Sequence, residues 1–326
     1  MVATTAVQNK HHKESNKVVN MKLSIIITIY NNEDTLFPCV ESVVAQNVDN
    51  CEIIIIDDGS TDGSGALADK WAKNDERIAV VHKPNGGTSD AKNHALDVVK
   101  GDYVTFVDSD DGLSPNTLQP LMQMLHEHPE YDILEYSVLQ NVGSGHECPL
   151  TLNNHLYHNA LDWLSVNGCS HCWMWNKIFK RKMFDNLRFP VERRRFEDMW
   201  MMSELIAKNP VIATTSHGTY KYYFNAKGQM ATMTNHCALI NSQMDIIHKH
   251  SINTREKRWH KLYMDIFNIQ LYVYVQTGQI LIPSQTVVPR FYGGIAGLIK
   301  SLALDILGLR LSCKLFKVFR RLNSNI

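Results

Sequence analysis

The chain contains 326 residues, of which 44% are hydrophobic, so it can bury one large α/β core with a smaller appendage, or two modest domains. Its 33 basic and 33 acidic residues cancel, which excludes a chain-wide positive field that would attract nucleic acid. The seven cysteines, an odd number, are typical of reduced thiols in a cytoplasmic protein and argue against a disulfide framework.

The first residues of the chain are polar and lack the apolar stretch of a secretory signal. Residues 1–20 are therefore expected to form a disordered leader. No window of the sequence has the roughly eighteen consecutive apolar residues that a membrane-spanning helix needs. We expect no transmembrane segment.

Residues 21 to about 140 alternate strand-like and helix-like segments. Strands are predicted at Leu23–Tyr30, Glu52–Ile56, Ile78–His82, Tyr103–Val107 and Asp132–Val138. The first two are almost continuously apolar, as expected for strands of a parallel sheet that is covered on both faces. Helices are predicted around Leu36–Val43, after Gly59–Gly63 and over Ser89–Val99. The alternation predicts an open, doubly wound α/β sheet.

Polar clusters follow three of these predicted strands, at Tyr30–Glu33, Asp57–Ser60 and Asp108–Asp111. Ligands of doubly wound sheets bind beyond the carboxyl ends of the strands. Each cluster alone is equally well explained by helix caps and turns. Three clusters on one edge together favour a ligand site.

The acidic cluster after the fourth strand offers hard oxygen ligands, which suit Mg²⁺ or Mn²⁺ bridged to phosphates. The sequence has no G-x-x-x-x-G-K-[ST] loop, no G-x-G-x-x-G after the first strand and no G-x-S-x-G elbow. These absences argue against ATP hydrolysis, dinucleotide binding and a nucleophilic serine. The remaining chemistry is one in which a metal stabilises a departing diphosphate.

Beyond residue 140 the pattern is weaker, and Asn141–His155 is interpreted as a crossover loop. The aromatic segments Trp173–Lys177 and Phe196–Trp200 fit core packing and, less often, stacking against sugar rings. Cys169 and Cys172 lack a second pair for a zinc site and are interpreted as structural or incidental.

The residue pattern of the last segment, Phe291–Ile326, predicts an amphipathic helix that lies at a membrane surface. The alternative is a C-terminal helix docked on the core with a solvated basic face. Its basic stripe is Arg310, Lys314, Lys317 and Arg321, and its apolar stripe is Leu311, Leu315, Val318 and Leu322.

Six motifs carry a family resemblance over about residues 21–225. They are SIIITIYNNEDTL (Ser24–Leu36), EIIIIDDGSTDGS (Glu52–Ser64), NGGTSDAKNHAL (Asn85–Leu96), GDYVTFVDSDDGLSPNTL (Gly101–Leu118), WNKIFKRKMF (Trp175–Phe184) and RFEDMW (Arg195–Trp200). In this order and approximate spacing, the sequence resembles family 2 glycosyltransferases with the GT-A fold.

The resemblance implies a mixed, mainly parallel sheet with a C-terminal helical extension. It divides the chain into a catalytic domain at 21–225 and a helical region at 226–326. Within the catalytic domain, 21–140 would bind the donor and 141–225 the acceptor.

The resemblance also implies transfer of a sugar from a nucleotide-diphosphate donor, with UDP as the expected nucleotide, to a hydroxyl group with inversion. Thr28, Tyr30 and Asp58 would hold the nucleoside, Asp108 would face the ribose or the Mn²⁺ or Mg²⁺ ion, and Asp110 would be the main metal ligand. Further candidates at the donor site are Asn31, Glu33, Asp57, Ser109 and Lys92.

Two acidic residues of the last motif are implied in catalysis. Asp198 would be the general base that deprotonates the acceptor hydroxyl, and Glu197 would orient the acceptor. Lys92 stands where the family usually has arginine and would neutralise donor phosphate. Thr28, Ala95 and Asn225 depart from the family pattern near the donor contacts.

The leading hypothesis is a glycosyltransferase that builds a surface polysaccharide, such as a capsule, on a lipid-linked acceptor. It would be cytoplasmic and peripheral on the inner face of the cell membrane, with the oligomeric state open. The alternatives are a catalytically silent nucleotide-sugar binding protein of the same fold and a metal-dependent phosphohydrolase.

Overall fold

The computed structural model describes residues 21–48, 50–193, 195–226, 236–285, 287 and 294–323, with side-chain surroundings up to residue 320. The expected leader at 1–20 and the side chains of Arg321 and Leu322 lie outside this description. No helix in these ranges is long and apolar enough to cross a membrane.

The described strands form one mixed sheet with the order β3-β2-β1-β4-β9-β6-β10-β5, with β7 paired to β6 and β8 paired to β10. The strands are β1 (Leu23–Ile29), β2 (Cys51–Asp57), β3 (Ile78–His82), β4 (Tyr103–Asp108), β5 (Gly112–Leu113), β6 (Ile133–Val142), β7 (Cys148–Leu150), β8 (His155–Tyr157), β9 (Lys177–Lys180) and β10 (Ile212–Tyr223).

The long pairings of the sheet are parallel. β1 lies between β2 and β4 and is parallel to both, and β10 is parallel to β6. The short strand β9 joins the two parallel groups because it is antiparallel to both β4 and β6. The predicted α/β architecture is confirmed.

The described α-helices cover both faces of the sheet and continue past its last strand. They are α1 (Glu33–Val44), α2 (Ser64–Asn74), α3 (Thr88–Val98), α4 (Leu118–Glu127), α5 (Ala160–Asn167), α6 (Glu197–Ala207), α7 (Cys237–Lys249), α8 (His260–Thr277) and α9 (Ile295–Asn323).

Alternation along β1 sends its side chains into two apolar clusters, one on each face of the sheet. Ile25 and Ile27 pack in the cluster that contains Leu36 and Val40 of α1. Ile26 packs in the other cluster, which also holds buried residues of α5 to α9. The C-terminal helices therefore share a core with the sheet.

The region after residue 140 contains more strand than its sequence predicts. The predicted crossover loop 141–155 includes β7 and the start of β8, each only three residues long. Neither contains a buried residue, and Pro149 fits an edge strand such as β7, which pairs only with β6 in the described sheet. Such short segments have too little apolar alternation to be recognised.

Helix α9 is bent where its two halves meet. Gly308 has φ 71° and ψ 172°, values that favour glycine because it has no Cβ. Leu304, Leu309 and Cys313 bury one face of the helix in the shared core.

Candidate active site

Three strand ends meet at one edge of the sheet, as the sequence predicts. In the register of the sheet, Thr28 of β1 lies beside Ile56 of β2 and Asp108 of β4. The polypeptide segments that follow these strands therefore leave the sheet side by side.

Hydrogen bonds join the segment after β1 to the segment after β2. The amide of Asn31 donates to Ser60 Oγ at 3.1 Å, and the amide of Gly63 donates to Glu33 Oε2 at 2.9 Å. Asn31 itself has a left-handed backbone with φ 53°, which asparagine tolerates better than most residues. Tyr30 precedes this turn and is 49% exposed, so its ring is available to a ligand.

Asp58 is buried and braces the loop that follows β3. Its carboxylate accepts hydrogen bonds from Lys83 Nζ at 2.5 Å and from the amides of Gly86 and Gly87 at 2.9 and 2.7 Å. Gly87, with φ 89°, lies at the start of α3. Asp58 thus shapes the wall of the candidate donor site, and its contact with the nucleoside stays a prediction.

Asp57 is also buried and has a similar bracing role. Its carboxylate contacts His82 Nδ1 at 2.8 Å and accepts from the amide of Ser60 at 2.9 Å. Gly59 follows with φ 76°, and a Cβ there would lie 2.8 Å from the backbone nitrogen of Asn85. The turn after β2 therefore requires glycine at this position.

The acidic cluster after β4 divides into two parts. Asp111 is buried and turns inward, where Tyr220 Oη donates to one oxygen at 3.0 Å and the amide of Tyr223 donates to the other at 2.9 Å. Burial and the nearby carboxylates of Asp108 and Asp110 raise the pKa of Asp111 to about 9. Asp111 therefore holds the loop, while Ser109 is buried beside it.

Asp108 and Asp110 are the carboxylates left to face a ligand. Burial, opposed by Lys92 and reinforced by Asp198 and Asp110, raises the pKa of Asp108 to about 7. Asp110 accepts a hydrogen bond from Asn225 Nδ2 at 2.9 Å.

This pair fits a divalent cation that keeps several waters. Among the described residues no group of three or more His, Cys, Asp or Glu side chains forms a complete metal cage. Mg²⁺ commonly binds through only one or two carboxylates together with phosphate oxygens. Burial is the main reason for the raised pKa of Asp108, and a cation bound beside it would lower that pKa again.

The two acids of the last motif open helix α6. Glu197 and Asp198 lie in its first turn, where the helix dipole favours negative charge. The residue before them, Phe196, has a left-handed backbone with φ 60°, an uncommon conformation for a bulky residue.

Lys92 of α3, in the candidate donor half, forms ion pairs with both acids. Its Nζ lies 2.7 Å from Asp198 Oδ1 and 3.2 Å from Glu197 Oε1, and the side chain is only 3% exposed. Burial alone would lower the pKa of Lys92, but Asp198, Glu197 and Asp108 raise it overall. The structure therefore places Lys92 against the candidate base, and its contact with donor phosphate stays a prediction.

The second oxygen of Asp198 accepts a hydrogen bond from the amide of Met174 at 3.1 Å. Met174 belongs to a segment whose rings stack in series, with Trp173 on Trp175 at 4.7 Å and Trp175 on Tyr220 at 4.4 Å between centroids. The stack ends at the tyrosine that holds the acidic loop.

Sequence reasoning missed Tyr220, Lys83 and Met174 as parts of the site. Tyr220 lies 109 residues after Asp111, and Met174 contributes only its backbone amide, so neither gives a local signal. Lys83 directly follows β3 and could have been found as a cation at a strand end. Cys169 and Cys172 are buried free thiols.

Comparison with known proteins identifies a family. The model of "Glycosyl transferase family 2" matches residues 24–188. Glycosyltransferase GlyG of Streptococcus pneumoniae is 32% identical over 212 residues, which cover 61% of this chain and 70% of GlyG. The minor teichoic acid biosynthesis protein GgaB of Bacillus subtilis is 27% identical over 67% of this chain and 25% of its own length. Apart from GlyG, this chain spans less than two thirds of the length of the first curated relatives.

A solved structure confirms the expected GT-A fold. The Staphylococcus aureus TarS fragment 1–349, in complex with UDP-GlcNAc, superposes with a TM-score of 0.63 over 80% of this chain and 77% of the fragment. The two sequences are 21% identical, so the likeness is one of fold.

Proposed function

The chain belongs to glycosyl transferase family 2, and we propose that it moves a sugar from a UDP-linked donor to a hydroxyl group of a glycan acceptor, with inversion. One observation carries the proposal. Lys92 is buried against Asp198 and is also close enough to Asp108 for each to shift the other's pKa. The contact of Lys92 with Asp198 and its charge interaction with Asp108 support a shared site for the candidate base and the candidate metal ligands.

In the proposed reaction Asp198 accepts the proton of the acceptor hydroxyl as its oxygen bonds to the anomeric carbon. The bond from that carbon to the donor phosphate oxygen breaks, and its electron pair leaves with UDP. Lys92 and the Met174 amide hold one oxygen each of Asp198 and so fix the direction of the carboxylate. Glu197, which accepts a hydrogen bond from Lys92, would orient the acceptor.

Asp108 and Asp110 would hold Mn²⁺ or Mg²⁺, which would supply positive charge for the departing diphosphate. Thr28, Tyr30 and Asp58 would bind the nucleoside, and Asn31, Glu33, Asp57 and Ser109 would line the same site. The TarS fragment of the same fold was solved with UDP-GlcNAc bound, which supports a UDP-sugar and a hexosyltransferase here.

We further propose that the acceptor is lipid-linked and belongs to a cell-surface polysaccharide. The name of GgaB, a minor teichoic acid biosynthesis protein, supports a surface polymer as the product. The surface that would dock on the inner face of the membrane is α9. Nine of the seventeen large apolar side chains exposed in the described ranges lie on this helix, including Ile295 at 72% and Ile306 at 74%.

The basic residues of α9 favour an anionic lipid surface as the binding partner of its exposed apolar face. Its side chains from residue 295 to 320 include five basic residues and one acidic residue, Asp305. A second copy of the chain, paired through the same face, would bring like charges together. Apolar side chains flanked by cations are the pattern that binds anionic bilayers.

Donor hydrolysis tests the proposed chemistry. The purified protein with Mn²⁺ is expected to release UDP from one donor in a panel of UDP-sugars, and Asp110→Ala is expected to abolish this release. The matched control is Asp185→Ala, an exposed aspartate outside the site, which should hydrolyse like the wild type.

Three outcomes would contradict the proposal. Unchanged turnover in Asp110→Ala would remove the metal role, and UDP binding without turnover of any donor or acceptor would favour the silent binding protein. Phosphate release that does not respond to acceptors would favour a phosphohydrolase.

A further inference from the structure

A buried ion pair lies beneath the segment that contacts the candidate base. Glu135 of β6 and Lys177 of β9 are opposite each other in the sheet, and both side chains are 0% exposed. Lys177 Nζ lies 3.2 Å from Glu135 Oε1. The other carboxylate oxygen accepts from Trp163 Nε1 at 2.7 Å, and His171 Nδ1 lies 2.9 Å from Oε1.

The Lys177 ammonium also organises the preceding segment, residues 171–176. It donates to the carbonyl oxygens of His171 and Trp173 at 2.9 and 3.0 Å and to Asn176 Oδ1 at 2.8 Å. Three acceptors of one short segment thus point inward at a single cation. The backbone curls around Lys177.

The opposite side of this segment faces the candidate active site. With the carbonyls of His171 and Trp173 drawn inward, the amide of Met174 donates to Asp198 Oδ2 at 3.1 Å. The rings of Trp173 and Trp175 continue to Tyr220, which donates to Asp111.

We propose that Lys177 is a positioning residue for the transfer reaction: with Glu135 it folds residues 171–176 so that the Met174 amide holds the carboxylate of Asp198. The inference rests on the proposed role of Asp198 as the base. An ion pair kept only for stability would need no such arrangement, since an apolar pair of similar size packs at least as well.

The test uses the double variant Glu135→Gln/Lys177→Met, which removes both charges and keeps the size of both side chains. Glutamine still offers an acceptor to Trp163, so the protein should fold and should keep the wild-type thermal shift with UDP. Its transfer kcat is expected to fall about 10- to 100-fold with little change in donor KM, because a displaced base misses the productive geometry. In an Asp198→Asn background the same two substitutions should have almost no further effect on kcat.

A purely structural role would give a different result. It predicts wild-type kcat in the double variant, or a loss of equal size with and without Asp198→Asn, and either result would overturn the inference.

Hydrogen exchange of the wild-type protein tests the contact between Met174 and Asp198 directly, and it requires neither a variant nor activity. The Met174 amide should exchange slowly, and exchange as fast as that of an exposed amide would also overturn the inference. If the wild type transfers no sugar at all, the proposed function fails, while this measurement still tests the contact.

Discussion

Replacing Asp198 by asparagine removes the candidate base and keeps the packing around it, because the two side chains have the same shape. In the wild type one carboxylate oxygen faces Lys92 Nζ at 2.7 Å and the other faces the Met174 amide at 3.1 Å. Asparagine has only one acceptor oxygen, so its amide group must face one of these two donors. The variant loses both the proton acceptor and one of two hydrogen bonds.

The expected loss in transfer kcat is about 10²- to 10⁴-fold, the usual contribution of a positioned general base. It corresponds to about 3 to 5 kcal/mol in the activation barrier. The free energy of unfolding should fall by about 1 to 3 kcal/mol, since hydrogen bonds to charged groups contribute this much. The side chain of Asp198 is 19% exposed, which favours the lower end of that range.

The assay is UDP release with donor and acceptor at saturation, combined with the thermal shift produced by UDP. Binding of UDP should change little, because the nucleoside candidates Thr28, Tyr30 and Asp58 lie on other segments. Glu197→Gln is the matched control: it keeps the second acid's shape and should change acceptor KM more than kcat. An Asp198→Asn enzyme with a kcat within about threefold of the wild type would refute the assignment of the base.

Three further predictions concern two buried ion pairs and the exposed surface of α9. Lys92→Met should lower the free energy of unfolding by about 3 kcal/mol in urea, because Asp198 and Glu197 then lack their buried partner; unchanged stability would contradict the importance of this pair. Burial alone would raise the pKa of Glu135, but Lys177 and His171 lower it from 4.5 to about 2. The ionised carboxylate therefore adds to the free energy of unfolding above pH 4.5, and this contribution is lost as the pH falls toward 2. Unfolding measured across that window should lose about 3 kcal/mol in the wild type and clearly less in Glu135→Gln, and parallel curves would argue against the ion pair. Leu311→Ser/Leu315→Ser should weaken cosedimentation with anionic vesicles, whereas the control Val166→Ser, at a similarly exposed valine of α5, should not. Lys314→Gln should weaken vesicle binding by about 1 kcal/mol at low salt. Self-association without vesicle binding would show that α9 binds a second copy of the chain and not a membrane.

The fold of residues 21–140 was predictable because its signals are local. The almost continuous apolar runs of β1 and β2 indicate buried parallel strands, and the structure ends both within one residue of the predicted positions. The polar clusters after β1, β2 and β4 then meet because neighbouring parallel strands end at the same edge.

The partners of these clusters were not predictable in the same way. Asp108, Asp110 and Asp111 look alike in sequence. Asp111 turns inward because Tyr220 Oη and the amide of Tyr223, 109 and 112 residues later in the chain, donate hydrogen bonds to it. The expected contact of Lys92 with donor phosphate stays a prediction, and its contact with Asp198, 106 residues later in the chain, has no local signal. Long-range packing of this kind leaves no periodic pattern in the sequence.

The inward turn of Asp111 has a consequence for domain exchange among related enzymes. A chimera that carries residues 21–140 in a related protein would contain the candidate donor motifs but not the Tyr220 hydroxyl and the Tyr223 amide. The recipient protein would have to supply both hydrogen-bond donors to Asp111. Without them a buried carboxyl group would lose both donors, and the neighbouring acidic loop would lose its support. Residues 21–140 are therefore not a self-contained unit that can be exchanged by cutting the chain after residue 140.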